Sequence, residues 1–345
     1  MTLPKPYQQK NISTKLYFQS SINNLNELVD INNAIIITDE NVFEKHSPKF
    51  KSLNTIVINA GEEFKVQETV NSIIEQLVNA NANRKTFLIG IGGGVVTDIT
   101  GYVASVFMRG ISFGFIPTTI LGLVDASIGG KNGVNVGLFK NIIGTINQPK
   151  FILHDISFLK TLPVQEWSNG FAEIIKHAAI GNKKMFAELQ NNSIKIYQKD
   201  IKLLGNLLEQ NAKQKLKVVA KDVYEKGDRK HLNFGHTLGH AVENTYQISH
   251  GQAISIGMHF ACKLSEEVLN FSQTKEVNEL LVQYSLPTHI NFKPKKVFDV
   301  LVMDKKREQG FVHFILLEKI GKAVIKKVSL KELKSFLISF SKDEI

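Results

Sequence analysis

A chain of 345 residues with 43% hydrophobic content can bury a large core, and its length points to two domains rather than one. Cys262 is the single cysteine, which excludes an intramolecular disulfide and fits a reducing, cytoplasmic compartment. The formal charge of +10 is spread without a long basic run, which favours an anionic small molecule over nucleic acid as partner. No apolar run is long enough to span a bilayer and the N-terminal stretch lacks an apolar signal core, so neither a membrane role nor export is expected.

Short β-branched runs follow in order: AIIIT at 34–38, NTIVI at 54–58, TFLIGI at 86–91, FGFIP at 113–117 and FILHD at 151–155. They alternate with helical patterns, which predicts an α/β unit on a largely parallel sheet. Over 66–82, Val70, Ile73, Ile74 and Leu77 recur at helical spacing, a stripe suited to cover one sheet face. After Pro163 the pattern changes to helix after helix, so a boundary is expected near residue 160, with domains over 1–160 and 161–345. Near the C-terminus, GFVHFILL and KAVIKKV flank EKIG as a hairpin, and Ser329 with Glu332 forms a capping box opening a last helix.

The stretch GIGGGVVTD places Gly92, Gly93 and Gly94 where a strand gives way to a helix. Such a junction presents backbone N–H groups and a positive helix end to a phosphate, and a Cβ there would hold the anion away. The spacing is not the usual dinucleotide fingerprint, so a plain tight turn is an equal alternative. Asp98, one turn on, reads either as a complement to the helix dipole or as a ligand for a ribose or amide.

The stretch 117–144 carries Asp125, Lys131, Asn135, Lys140 and Asn141 among several glycines, too polar and broken for core, and reads as a long binding loop. Its amides and ammonium groups suit a phosphate or carboxylate. Arg109, Lys176, Lys215, Arg229 and Asn233 supply further donors near the glycine and histidine motifs.

LNFGHTLGH sets His236 and His240 four apart on one helix face, and His250 follows closely. Three clustered imidazoles suit a divalent metal, and Glu173 in GFAEIIKHAAI can complete a catalytic set of one acid and two histidines. Spacing alone does not decide which two histidines ligate. His177 and His259 stand outside the cluster and read as ordinary packed or surface residues.

The segments GEEFK, GGGVVTDITGYVAS, MRG, PTT, VDASIGGKNGVN, KNIIG, FLKTLP, GFAEIIKH, LNFGHTLGHAVE, HGQA and MDKK, in that order, make the chain resemble the 3-dehydroquinate synthase family of sugar-phosphate cyclases over nearly its whole length. The resemblance implies an N-terminal Rossmann-like NAD-binding domain followed by a mainly α-helical metal-binding domain, with the active site between them. It implies bound NAD+, a divalent metal (zinc, with cobalt as the alternative) and a homodimer. Carried across by motif, Glu173, His236 and His250 are the metal ligands. Asp39, Asn41, Glu62, Lys65, Gly93, Gly94, Val95, Asp98, Thr118, Thr119, Lys140, Thr161 and Asn169 are the cofactor contacts. Arg109, Asp125, Lys131, Asn141, Lys176, Lys215, Arg229, Asn233, His240 and one of Lys305 or Lys306 form the substrate set, with Lys131, Lys176, Arg229, Asn233 and His240 also catalytic.

The implied reaction, a step of the shikimate pathway, turns 3-deoxy-D-arabino-heptulosonate 7-phosphate into 3-dehydroquinate and phosphate. It runs through transient NAD-dependent oxidation, phosphate elimination, re-reduction and an intramolecular aldol closure. Two residues depart from the family pattern: Gln252 stands where Glu is common after HG, and Asn132 where Thr is frequent after GGK. They leave room for a sister cyclase acting on sedoheptulose 7-phosphate or glucose 6-phosphate. A metal- and NAD-dependent polyol dehydrogenase would share the glycine loop and the metal histidines, and a pure binding module would hold NAD and metal without turnover.

Overall fold

A computed structural model describes residues 2–51, 53–137, 139–305 and 310–342. They form two compact units, Met1–Glu166 with Leu208–Tyr224, and Trp167–Leu207 with Glu225–Ile345.

The first unit contains β1 (Lys15–Tyr17), β2 (Ala34–Asp39), α1 (Glu40–His46), β3 (Asn54–Ile58), α2 (Gln67–Asn79), β4 (Phe87–Gly92), α3 (Gly94–Val106) and β5 (Ser112–Pro117). A hairpin of β6 (Lys131–Val136) and β7 (Phe139–Ile146) follows, then β8 (Phe151–Leu153). Six strands make a parallel sheet in the order β1-β8-β5-β4-β2-β3. The continuous apolar runs of the central strands β2, β4 and β5 are explained by burial on both faces. Ile35, Ile37, Leu88 and Phe113 pack against Val70, Ile73 and Leu77 of α2 and Ile99 and Val103 of α3. Their alternate neighbours Ile36, Ile89, Ile91 and Ile116 meet Phe50 and Phe158 on the other side.

Two features differ from the sequence expectation. The stretch read as a long loop contains the antiparallel β6–β7 hairpin, in which Gly133 lies opposite Gly144. A cross-strand pair without side chains erases the alternation by which strands are recognised. The chain also returns after the boundary expected near residue 160: Ala212, Leu216 and Val219, on the later part of a long helix, join the sheet core.

The second unit is built from α4 (Val164–Gly181), α5 (Lys183–Gln190), α6 (Ile194–Lys199), the start of α7 (Ile201–Lys221), α8 (His236–Tyr246), α9 (His250–Leu269), α10 (Thr274–Gln283) and α11 (Pro294–Lys305). A hairpin of β9 (Phe311–Lys319) and β10 (Lys322–Ser329) precedes α12 (Leu330–Phe340). Its core joins Leu238 and Val242 of α8, Ile256 and Phe260 of α9, Phe314 and Leu316 of β9, and Leu333 and Leu337 of α12. The capping box at Ser329 and Glu332 is formed, with Glu332 N–H donating to Ser329 Oγ at 3.2 Å and Ser329 N–H to Glu332 Oε2 at 3.1 Å. Among the described residues no helix is long and apolar enough to cross a membrane.

Candidate functional site

In the first unit the chain leaves β2 towards β3 on one side and β4 towards β5 on the other, so strand order reverses between β2 and β4. The carboxyl ends of strands at such a reversal are where parallel sheets bind ligands. Asp39 ends β2 and Gly92 ends β4. Asp39 caps α1, its Oδ1 accepting from Val42 N–H at 2.9 Å; burial raises its pKa against the opposing effect of those backbone bonds. Asn41 follows, exposed, in the first turn of the same helix.

No side chain caps α3 at Gly93, so the first amides and the positive end of that helix face an acceptor from outside it. A Cβ at Gly93 would come 3.1 Å from Thr119 Cγ2, and one at Gly94 3.2 Å from the Ala126 methyl, so the approach to this bend stays open only for bare backbone. Thr118 N–H donates to Gly92 O at 3.0 Å, and Thr119 Oγ1 accepts from Gly122 N–H at 3.0 Å, which ties the following turn to β4. Val95, half-buried, is the second residue of α3.

Lys65 is buried, and its ammonium donates to Asp98 Oδ2 at 2.5 Å and to Asn141 Oδ1 at 2.6 Å. Burial raises the pKa of Asp98, and the Lys65 charge opposes that rise. The carboxylate that sequence reading left between helix dipole and ribose therefore faces an ammonium group. Glu62 Oε1 accepts from Asn135 Nδ2 at 2.8 Å, Lys140 is exposed on β7, and Thr161 Oγ1 lies 2.6 Å from His46 Nε2.

In the second unit, α4, α8 and α9 converge on Glu173, whose carboxylate is fully buried. His250 Nε2 lies 3.1 Å and His236 Nε2 3.6 Å from Glu173 Oε1, and Lys176, one turn further along α4, pairs with the other oxygen. One ligand atom from each of Glu173, His236 and His250 falls within 4.8 Å of the others. His236 Nδ1 is 3.1 Å from Phe234 O. That carbonyl can only accept, so Nδ1 carries the proton and the Nε2 lone pair points towards Glu173. Burial first, then the Lys176 charge, hold the His236 pKa well below its ordinary value, which keeps the ring neutral as ligation requires. An acid and two imidazoles so arranged fit a tetrahedral divalent ion with one open position.

His240 is exposed, its ring 5.1 Å from that of His236 and 6.3 Å from that of His250. Sequence reading passed over Glu243, a buried acid on α8 whose Oε2 is 3.6 Å from His250 Nδ1. Its signal was available: it stands seven residues after His236 and three after His240, on the same helix face. Asn169, one turn before Glu173, is the one cofactor candidate on the second unit, and its Oδ1 accepts from Ser249 Oγ at 2.7 Å. Ser249 and Gln252 cap α9, with Ser249 N–H donating to Gln252 Oε1 at 3.2 Å. The neutral amide thus performs the capping that a Glu would perform.

The anion-binding candidates fall on both units. Asp125 pairs with Lys215 at 2.7 Å, and the same ammonium donates to Asp125 O at 2.6 Å. Lys131 opens β6, exposed; Arg109 is exposed with φ 67°; Asn141 is exposed on β7. Arg229 is buried in the short helical turn Asp228–Asn233, and Asn233 Nδ2 donates to Glu225 Oε1 at 2.5 Å. The side chain of Lys305, and Lys306 as a whole, lie outside the described residues. Asn132 donates through Nδ2 to Gly130 O at 2.8 Å and Asn147 O at 3.0 Å, closing the mouth of the hairpin, so this departure from the family pattern serves the local fold.

Comparison with known proteins gives a family match over two adjoining stretches: the 3-dehydroquinate synthase N-terminal model over 55–169 and the C-terminal model over 170–307. The 3-dehydroquinate synthase of Pyrococcus abyssi is 43% identical over 275 residues, covering 79% of this chain and 81% of the relative. That of Campylobacter concisus is 39% identical over 337 residues, covering 94% and 95%. Among solved structures, the 2-epi-5-epi-valiolone synthase ValA from Streptomyces hygroscopicus, with NAD+ and Zn2+ bound, superposes with a TM-score of 0.87 at 25% identity, covering 98% of this chain and 99% of that one.

Proposed function

The chain belongs to the 3-dehydroquinate synthase family, and from that premise we infer that it converts 3-deoxy-D-arabino-heptulosonate 7-phosphate into 3-dehydroquinate and phosphate. It is a phosphate-eliminating lyase that uses NAD+ and a divalent metal, on a phosphorylated sugar substrate. The observation that carries the reading is the buried Glu173 facing His236 Nε2 and His250 Nε2, an acid and two imidazoles whose ligand atoms lie within 4.8 Å of one another.

Glu173, His236 and His250 would hold the metal, with the Phe234 carbonyl fixing the His236 tautomer. The backbone of Gly93, Gly94 and Val95 at the start of α3 would lie along the NAD+ pyrophosphate. Asp39, Asn41, Glu62, Lys65, Asp98, Thr118, Thr119, Lys140, Thr161 and Asn169 complete the proposed cofactor set. Held there, the cofactor would supply reversible hydride acceptance for the C5 carbinol and the metal would supply Lewis acidity to its hydroxyl.

The chain's own part is to hold and orient. Lys131, Lys176, Lys215, Arg229, Arg109 and the side chain proposed at Lys305 supply cations for a phosphate dianion and a carboxylate, and Asp125, Asn141, Asn233 and His240 hydrogen-bond the hydroxyls. Lys176 is already paired with Glu173 and Lys215 with Asp125, so these cations are pre-placed rather than recruited. Holding the phosphate near the C6 proton lets its own oxygens accept that proton, so orientation replaces a dedicated side-chain base. Besides the substrate, we take a second copy of the chain as partner and the cytoplasm as compartment.

Purified protein mixed with the heptulosonate phosphate, NAD+ and zinc should release inorganic phosphate with no net NADH. Net NADH would identify a dehydrogenase, and neither product a binding role. Faster phosphate release from sedoheptulose 7-phosphate or glucose 6-phosphate would identify a sister cyclase.

A further inference from the structure

Asn135 sits at a break in the β6–β7 ladder, where the register shifts between the pairs Val134↔Ile143 and Val136↔Phe139. Its backbone N–H turns away from β7 and donates to Lys65 O at 2.8 Å. Its buried side chain is used at both ends, with Oδ1 accepting from Asn141 N–H at 2.8 Å and Nδ2 donating to Glu62 Oε1 at 2.8 Å. One residue therefore ties three segments: the turn Glu62–Phe64 with Lys65 just after it, the strand β6, and the strand β7.

The tie has a conformational consequence. Asn141 is left-handed at φ 55°, a backbone state that costs an ordinary residue roughly 1 kcal/mol. Asn135 Oδ1 captures the Asn141 N–H in that state. So turned, the Asn141 carboxamide offers Oδ1 to Lys65 Nζ at 2.6 Å, and Lys65 is held in turn by Asp98 of α3. With its oxygen held by Lys65, the carboxamide is fixed in orientation and its NH2 is turned towards an incoming ligand.

We propose that Asn135 is a positioning residue for the reaction: through Asn141 and Glu62 it sets the substrate-facing amide and the cofactor-facing Glu62–Lys65 turn in one fixed relation. Only asparagine provides an acceptor and a donor at this reach; aspartate lacks the donor, and glutamine is one methylene too long. The inference rests on the reading of Asn141 as a substrate group and of Glu62 and Lys65 as cofactor groups.

A double-mutant cycle on the full-length, metal-loaded enzyme tests it. Asn135→Ala should raise the KM for the heptulosonate phosphate about tenfold, the scale of losing one or two buried hydrogen bonds, and by less than about twofold when Asn141→Ala is already present. Asn135→Asp keeps the acceptor for Asn141 but sets a carboxylate against Glu62. It should leave KM near wild type and weaken NAD+ binding, read from protein fluorescence without substrate. The same KM increase in both backgrounds, or Asn135→Asp raising KM as much as Asn135→Ala, would overturn the proposal. A wild-type KM in Asn141→Ala would instead overturn the substrate reading. Asn135 would then stand or fall on the NAD+ affinity of Asn135→Ala, expected to drop about tenfold.

Discussion

Two buried titratable residues show how opposite environments are tolerated. Glu173, at zero exposure, is set against an ammonium and two imidazoles. His154 stays neutral: burial pulls its pKa to about 3, and its Nε2 has no hydrogen-bond partner among the described residues. The unfolded chain protonates this histidine below its ordinary value of 6.5 while the folded chain does not. Between about 6.5 and 3 the unfolded state therefore binds more protons, and stability falls as pH falls. From pH 7 to pH 5 this group alone should cost about 2 kcal/mol. His154→Phe, which keeps the ring contact with Phe18, should lose less stability over that interval. Urea midpoints at the two pH values measure it, and equal losses in both proteins would refute the assignment. At this scale the candidate cluster was legible: Glu173 and the three histidines stand out by type and spacing, and Glu173, His236 and His250 do come together. Other contacts were less so. Glu243 was readable only from its place on the His236–His240 helix face, and the Lys65–Asp98 pair joins residues 33 apart that no local pattern connects.

Helices α4, α8 and α9 bring these side chains together by unusually close approach. A Cβ on Gly257 of α9 would lie 1.8 Å from Gly235 O, and one on Gly251 would lie 2.5 Å from the Asn169 Cα. Both obstacles are backbone, so no rotamer change relieves them. Gly257→Ala must push α9 from the start of α8, the turn that carries His236. Overpacking of this kind costs about 1–3 kcal/mol, and the same displacement should weaken zinc retention by at least tenfold against a chelator. Glu267→Ala, exposed on the same helix, should change neither. A Gly257→Ala protein of wild-type stability and zinc affinity would show that the helices do not need this contact. The elements themselves were mostly readable. The runs at 34–38 and 113–117 became strands because they are apolar on both faces, 54–58 because Ile56 and Ile58 alternate into the core, and 66–82 became α2 because its stripe has helical period. The three-residue β1 is too short to carry a pattern. Glycine opposite glycine hid the β6–β7 hairpin.

At the scale of the molecule, that hairpin is the feature a single chain leaves unexplained. Every residue of β7 but one is exposed, including Phe139 at 57% and Ile142 at 63%, and Val136 at the end of β6 is exposed at 45%. β7 pairs only with β6 among the described residues, so its outer edge offers unmatched backbone groups beside an apolar face. Such an edge invites pairing with another strand, and an isologous contact between two copies covers it while closing the assembly. The purified protein should therefore sediment as a dimer. A lysine at Ile142 would bring two ammonium groups into the symmetric contact and should weaken association by about a thousandfold, giving monomers at micromolar concentration. Ile146→Lys, on the same strand but further from Asn141, should act alike, and neither change should unfold the chain, because both side chains are already exposed within it. Monomeric wild-type protein, or dimers that survive both substitutions, would assign this face to something other than a second copy.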